Sequence, residues 1–233
     1  NDYTRRHILV GLRYSSGLEG VPQGDMFVAA SSKSSWHAVG EQIASMVIFV
    51  NKTYSETGQV KLNNADWRDE PTVEFNLLSD QRDLDRLKDA VHRMAAIHAL
   101  PAMQEATSDP FPASYSDKVR QVGEVNGKNK FLTGVMAKLL DGPGPLRRFL
   151  MNNLILEDFT LPQLLQDDDA LEAFVKQAAV GVWHASCSCR MGADDDPKAV
   201  TNNAGRVRGV DGLRVCDASL FPVVPCANTN IPT

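Results

Sequence analysis

His7-Ile8-Leu9-Val10-Gly11-Leu12-Arg13-Tyr14, closed by Ser15-Ser16-Gly17, reads as a β-strand ended by a turn. Similar stretches recur downstream. Residues 25–30, Asp-Met-Phe-Val-Ala-Ala, predict a second strand, and residues 43–53, rich in Ile, Val and Phe, a third. Residues 58–63 and 71–76 alternate polar and apolar side chains, the period of a half-buried strand. The period then changes. Ser79 or Asp80 can cap a helix in which Leu84, Leu87, Val91, Met94, Ala95 and His98 recur at spacings of three and four. That helix is expected to reach about Leu100 and to end at Pro101. Residues 102–130, with Pro110 and Pro112, read as loop with a short helix. Residues 131–140 and 145–153 predict helices split by Gly142-Pro143-Gly144. Asp167, Asp168 and Asp169 mark a helix N-terminus, where negative charge is favoured, and that helix should run to about Ala179. Strands first and helices later, without strict alternation, give an α+β fold: a large antiparallel or mixed sheet with flanking helices.

Charge and composition narrow the function. The net charge is −5 and no block of Lys or Arg occurs, which argues against nucleic acid or an anionic membrane as the main partner. The apolar run Met46-Val47-Ile48-Phe49-Val50 is far too short to cross a bilayer, and no signal-peptide pattern opens the chain. No G-x-G-x-x-G occurs, so no dinucleotide-binding turn is expected within these residues. The chain starts at Asn1 without Met and stops at Thr233, and is expected to be a fragment. All four cysteines lie between positions 187 and 226, a distribution that suits free thiols in a reducing, cytoplasmic compartment better than a disulfide scaffold.

The chemistry-bearing residues also cluster near the C-terminus. His184 follows the apolar run Ala178 to Trp183, so a partly desolvated, neutral imidazole able to take a proton is expected there. The other reading is a structural histidine, which is the reading given to His7, His37, His92 and His98. His184, Cys187 and Cys189 offer three donors suited to zinc, but without a second Cys/His pair nearby no metal site is assigned. Asp211-Gly212, flanked by alternating residues 206–210 and 213–215, signals a tight hairpin whose turn takes positive φ angles. Its second strand ends in Asp217-Ala218-Ser219, a cofactor-facing position in many α/β folds or simply a turn cap. Asn228-Thr229-Asn230 adds amides and a hydroxyl, as site groups opposite His184 or as a turn.

Taken together these residues resemble the glucose–methanol–choline (GMC) flavoprotein oxidoreductases. The family's C-terminal signature reads H-x-x-G-T-C-R-M-G, then V-x-G-V-D-G-L-R-V-x-D-A-S, then P-x-x-N-T-N-x-P-T. Here these are His184 to Gly192, Val207 to Ser219, and Pro225 to Thr233. Gly58 to Leu62, Pro71 to Asn76 and the helix start at Asp80 also look like the family's substrate domain. The resemblance implies that residues 1–192 are most of a substrate-binding domain and residues 193–233 a return into an FAD-binding domain of Rossmann type. The glycine-rich FAD turn and a final helix are expected in the missing parts.

The resemblance also implies an FAD-dependent oxidation of an alcohol. His184 matches the catalytic histidine that takes the hydroxyl proton while hydride passes to flavin N5. Asn228 matches the second catalytic position, which would stabilise developing alkoxide charge. Asp217 and Ala218 match the stretch along the flavin's ribityl and pyrophosphate region, and Thr229 and Asn230 the backbone near its ring. The implied partners are a small-molecule alcohol and the missing FAD-binding part. A hydroxynitrile-lyase-like flavoprotein on the same scaffold, or a metal-binding or structural fragment using His184, Cys187 and Cys189, are the alternatives. There are departures from the pattern: Cys187 stands where the family usually has Gly, and Cys226 where Ser or Gly is common.

Overall fold

The computed structural model describes residues 7–114, 117–156, 159–182 and 184–233. Three strands, β1 (Ile8–Tyr14), β2 (Met26–Ser31) and β3 (Ser45–Val50), form an antiparallel sheet in the order β1-β2-β3. β2 lies in the centre and is the most buried of the three, with Met26, Val28 and Ala29 in the core. Phe27 stands opposite Phe49 in the β2–β3 register, with ring centroids 5.8 Å apart. β4 (Gln59–Lys61) and β5 (Thr72–Glu74) make a separate antiparallel ribbon, with Val60 opposite Val73. All five strands fall where the sequence predicts them. The principal sheet is small, and its edge strand β1 is apolar yet exposed at Ile8, Leu9, Val10 and Leu12.

Helices follow: α1 (Ala38–Gln42), α2 (Gln81–His98), α3 (Pro101–Ala106), α4 (Asp117–Gly123), α5 (Gly127–Leu140), α6 (Gly144–Leu150), α7 (Leu161–Gln166) and α8 (Asp168–Ala178). The class is therefore α+β. Three details differ from the expectation. Residues 102–130 are more helical than their prolines suggest. Pro101 opens α3 in the first turn, where its missing N–H is no loss, and α5 starts at Gly127 because the Asn126 side chain accepts from the Asn129 N–H at 2.8 Å. α6 runs on as a π-helical turn, Met151–Ile155. The short helices α1 and α7 fall outside the helices that the sequence pattern predicts. α1 is capped by His37, whose Nδ1 accepts from the Gly40 N–H at 3.1 Å and whose basicity burial lowers.

Two apolar cores hold the helices. Leu84, Leu164, Ala170, Leu171 and Val175 join α2, α7 and α8, with Leu87 and Val91 packed alongside. Val39, Ala137, Leu140, Leu150 and Met151 join α1, α5 and α6. Asp80 caps α2, and Arg82 beside it holds its carboxyl down at about 2. α8 is capped by Asp167, which accepts from Asp169 N and Ala170 N at 3.1 Å.

α2 also meets the sheet through buried charge. Asp25, Asp83 and Arg86 are each 0–2% exposed. The Arg86 guanidinium reaches Asp83 at 2.5 Å and Asp25 at 3.3 Å, and donates to the Lys52 carbonyl at 2.6 Å. Asp83 also accepts from the amides of Tyr54 and Ser55 and from both the Thr53 and Ser55 hydroxyls. Burial would raise the Asp25 carboxyl, but the Ser16 amide and hydroxyl, with Arg86, outweigh it and hold the group below its ordinary value.

Candidate active site

Beyond α8, residues 187–191 dock on a turn near the C-terminus. Cys187 N donates to Ala218 O at 3.2 Å, Cys189 N to Ser219 O at 3.0 Å and Met191 N to Leu220 O at 2.9 Å. These bonds lay residues 187–191 along a 3₁₀ turn, Ala218–Leu220. Cys187 sits at φ = +70°, left-handed backbone that disfavours any residue with a Cβ. The departure from glycine at this position therefore carries strain.

The loop between these two segments is organised by arginines. Arg190 contacts both carboxylate oxygens of Asp196 at 2.9 and 2.7 Å. Arg208 donates to the carbonyls of Gly192, Ala193 and Asp196. Thr201 is fully buried, and its hydroxyl donates to Cys189 O at 3.3 Å. The hairpin is shorter than the alternation suggests: Arg206 bridges Arg214, Val207 N donates to Leu213 O and Val215 N to Gly205 O. Its positive φ angles belong to Gly209 and Gly212 rather than to Asp211 and Gly212. At Gly205 a Cβ would stand 2.6 Å from Val215 O, so glycine is required where the two segments meet.

The candidate site residues lie where these segments converge. His184 is exposed, which corrects the expected desolvated setting; Trp183, its expected apolar neighbour, lies outside the described residues. The imidazole is tethered instead: Nδ1 is 3.0 Å from Thr229 Oγ1, across 45 residues of sequence. Thr229, rather than Asn228, thus makes the direct contact with the histidine. Asn228 and Asn230 are exposed on either side of it. Thr229 O accepts from the Thr233 amide at 3.0 Å and hydroxyl at 2.6 Å, which folds the end of the chain into a turn.

Asp217 caps the 3₁₀ turn, accepting from Ser219 N at 2.8 Å and from its hydroxyl. The Ser219 hydroxyl in particular holds the exposed Asp217 carboxyl below its ordinary value. The carbonyl of half-buried Ala218 is engaged by Cys187 N. All four cysteines are free thiols. Among the described residues no three of His, Cys, Asp and Glu gather as metal ligands, so the zinc alternative for His184, Cys187 and Cys189 finds no such cluster. Among the same residues no helix is long and apolar enough to cross a membrane.

Two features escape sequence reasoning. The Asp25–Asp83–Arg86 group reads by hydropathy as solvent-facing. Arg13 did leave a signal, as the one charged residue in β1. Its guanidinium reaches the segment that carries Asn228 and Thr229.

The GMC oxidoreductase family model matches residues 53–131 and 135–233. The 5-(hydroxymethyl)furfural oxidase of Methylovorus sp. (strain MP688) is 40% identical over 230 residues, covering 98% of this chain and 35% of that protein. An oxygen-dependent choline dehydrogenase of Photobacterium profundum is 30% identical over 183 residues, 78% of this chain and 24% of that protein. The chain thus spans about a third or less of the curated relatives it matches. Among solved structures, a pyridoxine 4-oxidase from Mesorbium loti superposes with a TM-score of 0.58 over 96% of this chain and 34% of that one; at 16% identity it speaks to the fold alone.

Proposed function

The chain belongs to the GMC oxidoreductase family, and from that premise we propose that it is the substrate-side portion of an FAD-dependent alcohol oxidoreductase. On this reading residues 1–192 belong to the substrate domain and residues 193–233 return towards the flavin domain. The observation that carries it is the His184–Thr229 contact of 3.0 Å. It joins two segments distant in sequence around an imidazole that is open to a ligand.

The donor set fits part of a flavin. Asp217, Asn228 and Asn230 are exposed, and Asp217 is held ionised. A carboxylate and two amides suit ribityl hydroxyls and ring carbonyls. A pyrophosphate instead needs backbone N–H groups or cations, which a glycine-rich turn elsewhere in the polypeptide would supply. In this assignment Asp217 and Ala218 would border the ribityl chain, and Thr229 and Asn230 the ring. When bound, the flavin supplies the hydride acceptor, N5.

The chain's own residues handle the proton. In the tautomer that carries its hydrogen on Nδ1 and donates it to Thr229 Oγ1, His184 presents an unprotonated Nε2, the atom that would accept the substrate hydroxyl proton. As the O–H proton leaves, negative charge grows on the substrate oxygen, and the Asn228 amide donates to it. The alcohol loses one proton to Nε2 and one hydride from its carbon, and becomes a carbonyl compound. The first substrate to try is a primary alcohol on an aromatic ring, the chemistry in the name of the Methylovorus relative.

The test is anaerobic mixing of primary and secondary alcohols with the flavin-loaded polypeptide that includes this chain. Bleaching of the flavin absorbance by at least one alcohol is expected. If the panel never reduces the flavin, the oxidoreductase reading fails, and a hydroxynitrile-lyase-like activity without net redox becomes the reading to test.

A further inference from the structure

We propose that Arg13 is a positioning residue for the His184–Thr229 pair; the activity arm of this proposal rests on the alcohol-oxidoreductase reading. Arg13 is an exposed residue in an otherwise apolar strand, and among the described residues it forms no ion pair. Its hydrogen bonds to oxygen go to backbone carbonyls. Nε donates to Gly24 O at 2.9 Å, in the connection between β1 and β2, and Nη2 donates to Cys226 O at 2.8 Å. The same Nη2 lies 3.7 Å from Cys226 Sγ, and that thiol donates to Gly24 O at 3.4 Å.

Three segments therefore close into one junction: β1, its connection to β2, and the C-terminal loop. The local sequence permits it. Gly24 has φ = +68°, and a Cβ there would stand 2.6 Å from Arg13 Nε, so a side chain at position 24 would push the guanidinium out. The planar fork of arginine reaches two carbonyls with fixed geometry, and each bond is charge-assisted. A lysine ammonium has the charge but not the fork.

The junction anchors the residues just downstream of it. Cys226 O is held two residues before Asn228 and three before Thr229, whose hydroxyl meets the His184 imidazole at 3.0 Å. The loop from 226 to 230 is otherwise tied down by few bonds within the described residues, the Thr229–Thr233 turn among them. Arg13 thus sets where Thr229 stands relative to the sheet, and Thr229 sets the imidazole. Arg13 lies outside both apolar cores and is exposed, so its replacement is expected to leave the fold intact.

The experiment compares wild type, Arg13→Gln and Arg13→Lys in the flavin-loaded polypeptide. Iodoacetamide labelling of the native protein, resolved by peptide mass spectrometry, reads the junction directly. The Cys226 rate should rise about tenfold or more in Arg13→Gln, the size expected from losing a charge-assisted hydrogen bond. The rate at exposed Cys216 should stay constant, and Arg13→Lys should fall between. The rate of anaerobic flavin reduction by benzyl alcohol should drop on the order of 10–100-fold in Arg13→Gln, the scale of a small misplacement of reacting groups, with flavin content and melting temperature retained.

Cys226 labelling within about twofold of wild type, the range of an ordinary surface substitution, overturns the proposal. So does faster labelling with an unchanged reduction rate, because the loop would then move without moving the site. If no alcohol reduces the wild-type flavin, the activity reading has failed, and the labelling alone decides whether Arg13 holds the loop.

Discussion

Replacing Cys187 by glycine should make the protein more stable, although it deletes a half-buried side chain. Cys187 stands at φ = +70°. For an L-residue with a Cβ, left-handed backbone costs roughly 1–2 kcal/mol, and glycine is free of that cost. Glycine in turn loses more chain entropy on folding, about 0.5–1 kcal/mol. The thiol contributes little to offset the strain: among the described residues its polar contact is with the neighbouring Ser186 hydroxyl at 3.6 Å. The net expectation is a gain of about 0.5–1 kcal/mol, or a rise of about 1–3 °C in melting temperature for a domain of this size. The backbone bond from Cys187 N to Ala218 O is kept, so the site retains its shape. Cys187→Ala is the control, because it removes the sulfur but keeps the Cβ and the strain. Calorimetric melting of wild type and both variants should rank glycine highest. If alanine equals or exceeds glycine, or if glycine lowers the melting temperature, strain at this position is not what limits stability.

Three further outcomes are expected from the packing. Arg86→Met leaves Asp25 and Asp83 buried without their cation and should cost roughly 3–5 kcal/mol in chemical denaturation; a loss under about 1 kcal/mol would show that the cation is dispensable. The Tyr14 hydroxyl is buried without a partner among the described residues, and burial, with Asp89 nearby, pushes its pKa up to about 12. Tyr14→Phe should therefore be neutral or stabilising by up to about 1 kcal/mol, and a clear loss in the same assay would reveal a hydrogen bond to that hydroxyl. Asp80 titrates at about 2 when folded against an ordinary 3.8, so its stabilisation is complete above 3.8 and lost as pH falls towards 2. The melting-temperature gap between wild type and Asp80→Asn should be open at neutral pH and close across that window; a gap independent of pH would contradict the Arg82 pairing.

The five strands and the long helix are legible in the sequence because their signal is local. Alternation marks β4 and β5, apolar density marks β1 to β3, and Asp80 is a side-chain cap at the start of a periodic run. What stays hidden is set by tertiary contact. α1 and α7 are one-and-a-half-turn helices that exist because Val39 and Leu164 are covered by α5 and α8. Asp83 and Arg86 look like surface charge until the loop after β3 closes over them. At the site, motif spacing brings out His184, Asp217 and Asn228, and a glycine-position argument brings out Cys187. Spacing offers nothing on which side chain touches the imidazole. That partner is Thr229, a residue the family resemblance associates with the flavin ring through its backbone. The exposure of His184 reflects the same limit, since spacing in sequence does not say which surfaces the rest of the polypeptide covers.

The most direct test of the proposed chemistry is the rate of anaerobic flavin reduction by an alcohol substrate in His184→Ala against wild type, with flavin content measured for both. Loss of a general base predicts a reduction rate lower by a factor on the order of 10²–10⁴ at equal flavin occupancy. A near-normal rate in His184→Ala would contradict the assignment of His184 as the group that takes the substrate proton.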